Sequence, residues 1–107
     1  MPASETFEVL DGHLIRKAVP KRGEPYEHRC PFESYKELAY TAQEAGDGFT
    51  VDELAEKARV PMTQAAVALA FWKERGCVVT RYRRNYPADN WLFEDAMTEY
   101  HALAAEA

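Results

Sequence analysis

Residues 63–87 read TQAAVALAFWKERGCVVTRYRRNYP, and this stretch decides the fold. Its first half is made of helix formers and small apolar residues. It stops at Gly76, the residue that most easily takes the left-handed turn closing a helix. A helix is therefore predicted from Met62 or Thr63 to just before Gly76. The second half changes character. Residues 77–84, CVVTRYRR, are rich in β-branched and aromatic side chains and suit a strand. Residues 85–90, NYPADN, have the composition of its turn, with a short returning strand expected around Trp91. The helix presents Ala65, Ala66, Val67, Ala68, Leu69, Ala70 and Phe71 in succession, apolar nearly all round, as a buried helix does.

Just upstream, Thr50 followed by Glu53 has the spacing of a capping box, in which hydroxyl and carboxylate each take an amide at the start of a helix. Leu54, Ala55 and Ala58 give that helix an apolar stripe, and it must end before Pro61, which cannot donate a backbone hydrogen bond. Further back, Phe32, Tyr35, Leu38, Ala39 and Ala42 recur at helical spacing, in a helix expected to stop at Gly46. Asp11-Gly12 supplies the positive φ angles of a two-residue hairpin turn, so residues 7–18 read as a β-hairpin. Residues 20–31, with three prolines and a glycine among charges, read as an extended connector, although Tyr26, His28 and Cys30 alternate as on one face of a short strand. Downstream, Phe93, Ala96, Met97, Tyr100, Leu103 and Ala104 mark an amphipathic C-terminal helix, with Asp89 or Asn90 as candidate cap.

The stretch TVDELAEKARVPMTQAAVALAFWKERGCVV resembles the winged helix-turn-helix domains of transcription regulators such as the MarR-like families. DELAEKARV matches the first helix of the turn, and ERGCV the exit into the wing. Such turns often carry glycine before the apolar residue, whereas this one has Arg59-Val60-Pro61. The resemblance implies an α+β winged helix-turn-helix over residues 32–93, a three-helix core with a β-wing. The N-terminal hairpin and connector (7–31) and the C-terminal helix (94–107) are added to it within a single domain, 1–107.

Length and composition agree with one soluble globular domain: 47% of residues are apolar and 29% charged. No apolar run approaches the roughly 20 residues of a membrane span, and the N-terminus lacks a signal-peptide pattern, so a cytoplasmic protein without a membrane partner is expected. Two cysteines, Cys30 and Cys77, far apart in sequence, read as free thiols. Net charge is −5, but its distribution is uneven. From Lys57 to Tyr86 seven basic residues face the single acid Glu74, a formal +6, while residues 1–56 carry −6 and residues 87–107 carry −5. A positive block on one motif points to an anionic partner there.

The resemblance would put Met62, Thr63, Gln64, Val67, Ala68 and Phe71 toward a DNA groove. Only Gln64 and Thr63 among them can make a polar contact to a base edge, so the helix is a poor base reader. The plain expectation is that the hairpin or the C-terminal helix covers Val67 and Phe71. The alternative is that these two form an exposed surface for a partner protein. Arg81, Arg83, Arg84 and Asn85, with Lys73 and Arg75 from the helix end, suit contacts to the phosphates of double-stranded DNA. The competing reading pairs these arginines with Glu94, Asp95 and Glu99. The C-terminal stripe serves equally well against the first helix or in a homodimer. His28, Cys30 and Cys77 do not have the spacing of a zinc site, and no Gly-rich phosphate loop, paired-carboxylate motif or HExxH occurs. Neither a metal, a cofactor nor catalysis is expected.

Overall fold

The computed structural model describes residues 4–106. Among them the chain is α+β, with four helices and two small antiparallel sheets. The first sheet opens with the expected hairpin. Strand β1 (Ser4–Leu10) turns through Asp11 and Gly12 into β2 (His13–Val19). Both turn residues are left-handed, with φ of 52° and 74°, as a type I′ turn demands. The register runs from Leu10 opposite His13 to Ser4 opposite Val19.

The connector expected over residues 20–31 is corrected in its second half. Tyr26–Pro31 forms β3, antiparallel to β2, with Ala18 opposite Tyr26 and Leu14 opposite Cys30. The alternation of Tyr26, His28 and Cys30 falls on this strand, but as an edge strand with four exposed residues it buries only Cys30. Charges are what a sheet edge tolerates. Pro20 and Pro25 fall in the connection, and Pro31 ends the strand at the cap of the next helix.

Helix α1 (Phe32–Gln43) follows without a loop, and its first amide donates to Gly12 O at 2.9 Å, which fixes the hairpin turn against the helix. It stops before Gly46, at Gln43. Helix α2 (Val51–Ala58) starts with the expected box: Glu53 N donates to Thr50 Oγ1 at 3.1 Å, and Thr50 N to Glu53 Oε1 at 3.0 Å. Arg59, where glycine would be unstrained, takes the left-handed conformation at φ 57°, and Val60 N closes the helix on Ala55 O at 3.0 Å. Helix α3 (Met62–Arg75) ends at Gly76, left-handed at φ 78°.

The second hairpin departs from the expectation. Strand β4 (Val78–Arg81) turns at Tyr82-Arg83 into β5 (Arg84–Pro87), so NYPADN is not the turn. Asn85 and Tyr86 lie in the returning strand, and Trp91 caps helix α4 (Leu92–Ala104) instead of forming a strand. The true turn has no glycine or asparagine to announce it. Phe49, between α1 and α2, forms an isolated antiparallel bridge with Asn85 through amide–carbonyl bonds of 2.8 and 2.9 Å, adding a third segment beside β5.

Helix α3 is the centre of the molecule, touching the first sheet, α1, α2 and β4. Val67, Phe71 and Trp72 have no exposed surface. Phe7 of β1 lies 5.3 Å from Phe71, ring to ring, so the N-terminal sheet covers this side of the helix. Burying Val67 and Phe71 contributes roughly 1.5–3 kcal/mol each. Leu92, Ala96, Tyr100 and Leu103 of α4 are buried as well, with α4 against α1 and β1. Where three helices meet, Tyr35 Oη donates to Ala96 O at 2.6 Å and accepts from Trp72 Nε1 at 3.0 Å, so the two large aromatic side chains enter the core with their polar atoms satisfied.

Candidate nucleic-acid interface

The second hairpin and its support carry most of the basic residues singled out above, and the structure divides them into two kinds. Arg81 and Arg83 are exposed, and among the described residues neither forms an ion pair. Arg84 is engaged. Its Nη2 donates to Gly48 O at 2.8 Å and to Glu53 Oε1 at 2.9 Å, binding β5 to the cap of α2. The Thr50 amide and then the Arg84 guanidinium hold the Glu53 carboxyl below the usual carboxylate range. Asn85 is buried: its Nδ2 donates to Phe49 O at 3.0 Å, and its Oδ1 accepts from Thr80 Oγ1 at 2.8 Å. Arg84 and Asn85 therefore hold the hairpin to the body, Asn85 from a buried position and Arg84 from a partly exposed one.

The helix residues separate from the hairpin. Arg75 donates to Glu99 Oε1 at 3.0 Å, and its guanidinium lies 5.0 Å from the centroid of Phe71. The pairing of arginines with the acidic C-terminal helix thus applies to Arg75, not to the hairpin. Lys73 is exposed and lines a groove with Glu5, Arg16, Ala66 and Ala70 between α3 and the first sheet. Gln64 is half-buried, with an Oε1 that has no hydrogen-bond partner. Val67 and Phe71 are covered by the chain itself, which removes them as a partner surface. The face that α3 leaves open is Met62, Thr63, Lys73 and the acid Glu74, with half-buried Ala66 and Ala70 between them.

The hairpin tip has its own geometry. Tyr82 and Arg83 are both left-handed, at φ 50° and 68°, and Tyr82 is 98% exposed. Bulky residues take this conformation against a preference of about 1–2 kcal/mol each. One step down the hairpin, the Arg81 guanidinium lies 5.1 Å from the ring centroid of Tyr86. The Tyr86 ring in turn packs on Gly48, where an added Cβ would come within 2.6 Å of it. Arg81, Tyr82 and Tyr86 line a shallow cleft of about 260 Å³. Sequence reasoning placed the arginines here but passed over Tyr82. The available signal was its position in Arg-Tyr-Arg-Arg, and the proline-containing NYP hid it by drawing the turn downstream.

Among the described residues no group of three His, Cys, Asp or Glu side chains is gathered as metal ligands, and no helix is long and apolar enough to cross a membrane. Cys30 and Cys77 are both buried free thiols, while His28 is exposed and stacks on Tyr26. Compared with known proteins, the chain matches no family model, no curated protein and no solved structure.

Proposed function

We propose that this chain is a non-enzymatic winged-helix module that contacts double-stranded DNA through its second hairpin, in transcriptional regulation in the cytoplasm. The element order supports the winged-helix reading: α1, the Phe49 bridge, α2, a three-residue turn, α3 and then a two-stranded hairpin. The observation that carries the function is the tip itself, where Arg81 and Arg83 stand exposed without a carboxylate partner among the described residues. Guanidinium groups so placed make phosphate contacts, which position a protein on a duplex without reading it. The open face of α3 has little to offer base edges, so affinity on this reading is electrostatic and sequence-tolerant.

Anisotropy of a labelled random-sequence duplex at about 50 and 200 mM salt tests the proposal. If Arg81, Arg83 and Lys73 each displace one counterion, affinity falls roughly 40-fold over that interval. Replacing Arg81 and Arg83 with glutamine reduces the fall to about fourfold and weakens binding at both salts. Arg84 belongs outside this test, because its loss would also release Glu53. No binding at 50 mM salt overturns the proposal. The rival reading, a protein-interaction module, now rests on Tyr40 and Trp91, 61% and 63% exposed, since the apolar faces of α3 and α4 are buried. An unchanged affinity in the Arg81, Arg83 double variant would favour it.

A further inference from the structure

The three side chains at the hairpin tip do more than add charge. We infer that Tyr82 is a stacking platform for an unpaired nucleobase, with Arg81 and Arg83 on the flanking phosphates. The inference rests on the nucleic-acid reading above and sharpens its substrate class, from any duplex to one carrying an unpaired or opened base.

Three independent observations lead here. First, the turn is built against backbone preference. A two-residue type I′ turn favours Asn-Gly, yet this one places a tyrosine and an arginine at positive φ, an outlier of the kind that accumulates at functional positions. The first hairpin of the same chain uses Asp11-Gly12 for the same geometry, so the fold itself does not require the strain. Second, Tyr82 gives nothing to folding: at 98% exposure its ring rests on no neighbour, while every other tyrosine of the chain is at least partly covered. Third, the ring stands between cations. Arg81 precedes it, Arg83 follows it, and neither is neutralised by an acid among the described residues.

The cleft supports the same occupant. At about 260 Å³ it lies below the roughly 300–1,000 Å³ of a pocket that engulfs a whole ligand, and it is open, which suits one planar ring laid against Tyr82. Arg81 is already oriented by its contact with Tyr86, itself wedged on Gly48. A guanidinium fixed in this way loses less freedom on meeting a phosphate than one on a free side chain. An aromatic face takes any base, so recognition is of an unstacked base and not of a sequence. In an intact duplex the bases are stacked on each other and their faces are closed to Tyr82, which leaves only the phosphate contacts.

The experiment compares a blunt duplex, the same duplex with a two-nucleotide single-stranded gap containing 2-aminopurine, and single strands of DNA and RNA of equal length, all at about 50 mM salt. Wild type is expected to bind the gapped duplex more tightly than the blunt one, on the order of 5- to 100-fold, and to quench 2-aminopurine emission. Tyr82→Ala should lose both the preference and the quenching, and Tyr82→Phe and Tyr82→Trp should keep them. Because Tyr82 packs on nothing, folding of these variants, checked by circular dichroism, should be unchanged. The single strands tell a DNA base from an RNA base, and tight binding of either supports the platform. Equal affinity for gapped and blunt duplex, or a Tyr82→Ala variant indistinguishable from wild type, overturns the inference. If blunt-duplex binding then still depends on Arg81 and Arg83, the nucleic-acid reading stands without it. No binding to any probe removes both.

Discussion

At Tyr82 and Arg83 the backbone conformation and the side chains disagree. Type I′ turns place both central residues at positive φ, and asparagine and glycine tolerate this best. Replacing Tyr82 and Arg83 with Asn and Gly should therefore stabilise the domain by roughly 1–2 kcal/mol. A higher urea midpoint at unchanged slope would report it. The same double variant should bind nucleic acid less well, since it removes a cation and the exposed ring. Greater stability together with weaker binding is the sign expected of a residue kept for contact and not for folding. A variant no more stable than wild type would mean that the tip holds less strain than its dihedral angles imply.

Among the elements, the junction of β5 with α2 couples the hairpin to the helix cap. Arg84 reaches Gly48 O and Glu53, and Glu53 also closes the capping box with Thr50. Since the Glu53 carboxyl is held below its ordinary range in the folded protein, its contribution is present above the unfolded carboxylate range of about 4.3. It is lost as pH falls through the lower, folded value. Glu53→Gln should therefore flatten the loss of stability on acidification below about pH 4.5, measured as urea midpoints from pH 6 to pH 3. An equally steep acid slope in the variant would show that the contact is solvated away. These elements also show how much of the fold could be read from sequence. The capping box, the Asp11-Gly12 turn and the Gly76 stop were legible because each depends on local chemistry. Strand β3 was legible only in the alternation of Tyr26, His28 and Cys30, because the prolines and charges around it read as a connector. The turn at Tyr82-Arg83 was not, because its residues are the wrong ones for its geometry. Of the candidate site, the cluster of arginines was legible, but their division into free and engaged was not. Arg84 is engaged because Gly48 and Glu53, the latter 31 residues upstream, are folded against it, while among the described residues the Arg81 guanidinium meets only the Tyr86 ring.

For the whole molecule, the packed centre predicts behaviour in alkali. Burial pushes the Cys30 thiol up from an ordinary 9.0 to about 12 and the Cys77 thiol to about 11, and it raises Tyr35 too. Raised folded values mean that the folded state keeps its protons longer than the unfolded chain. The associated stability is complete below about pH 9 and is lost as pH climbs toward 11 and 12. Urea midpoints should fall between pH 8.5 and pH 11, and Cys30→Ala should lessen the slope. At neutral pH a thiol reagent should label both cysteines only after denaturation, and labelling of the native protein would show that the core opens locally. The N-terminal sheet bears on where this protein can be divided. Phe7, Leu14 and Cys30 form one wall of the core whose other wall is α3, so residues 4–31 are not an appendage to a self-sufficient helical unit. A fragment beginning at Phe32 would keep all four helices and still lose the Phe7 ring that lies against Phe71. The unit that inheritance or engineering can move from one protein to another therefore includes the first hairpin.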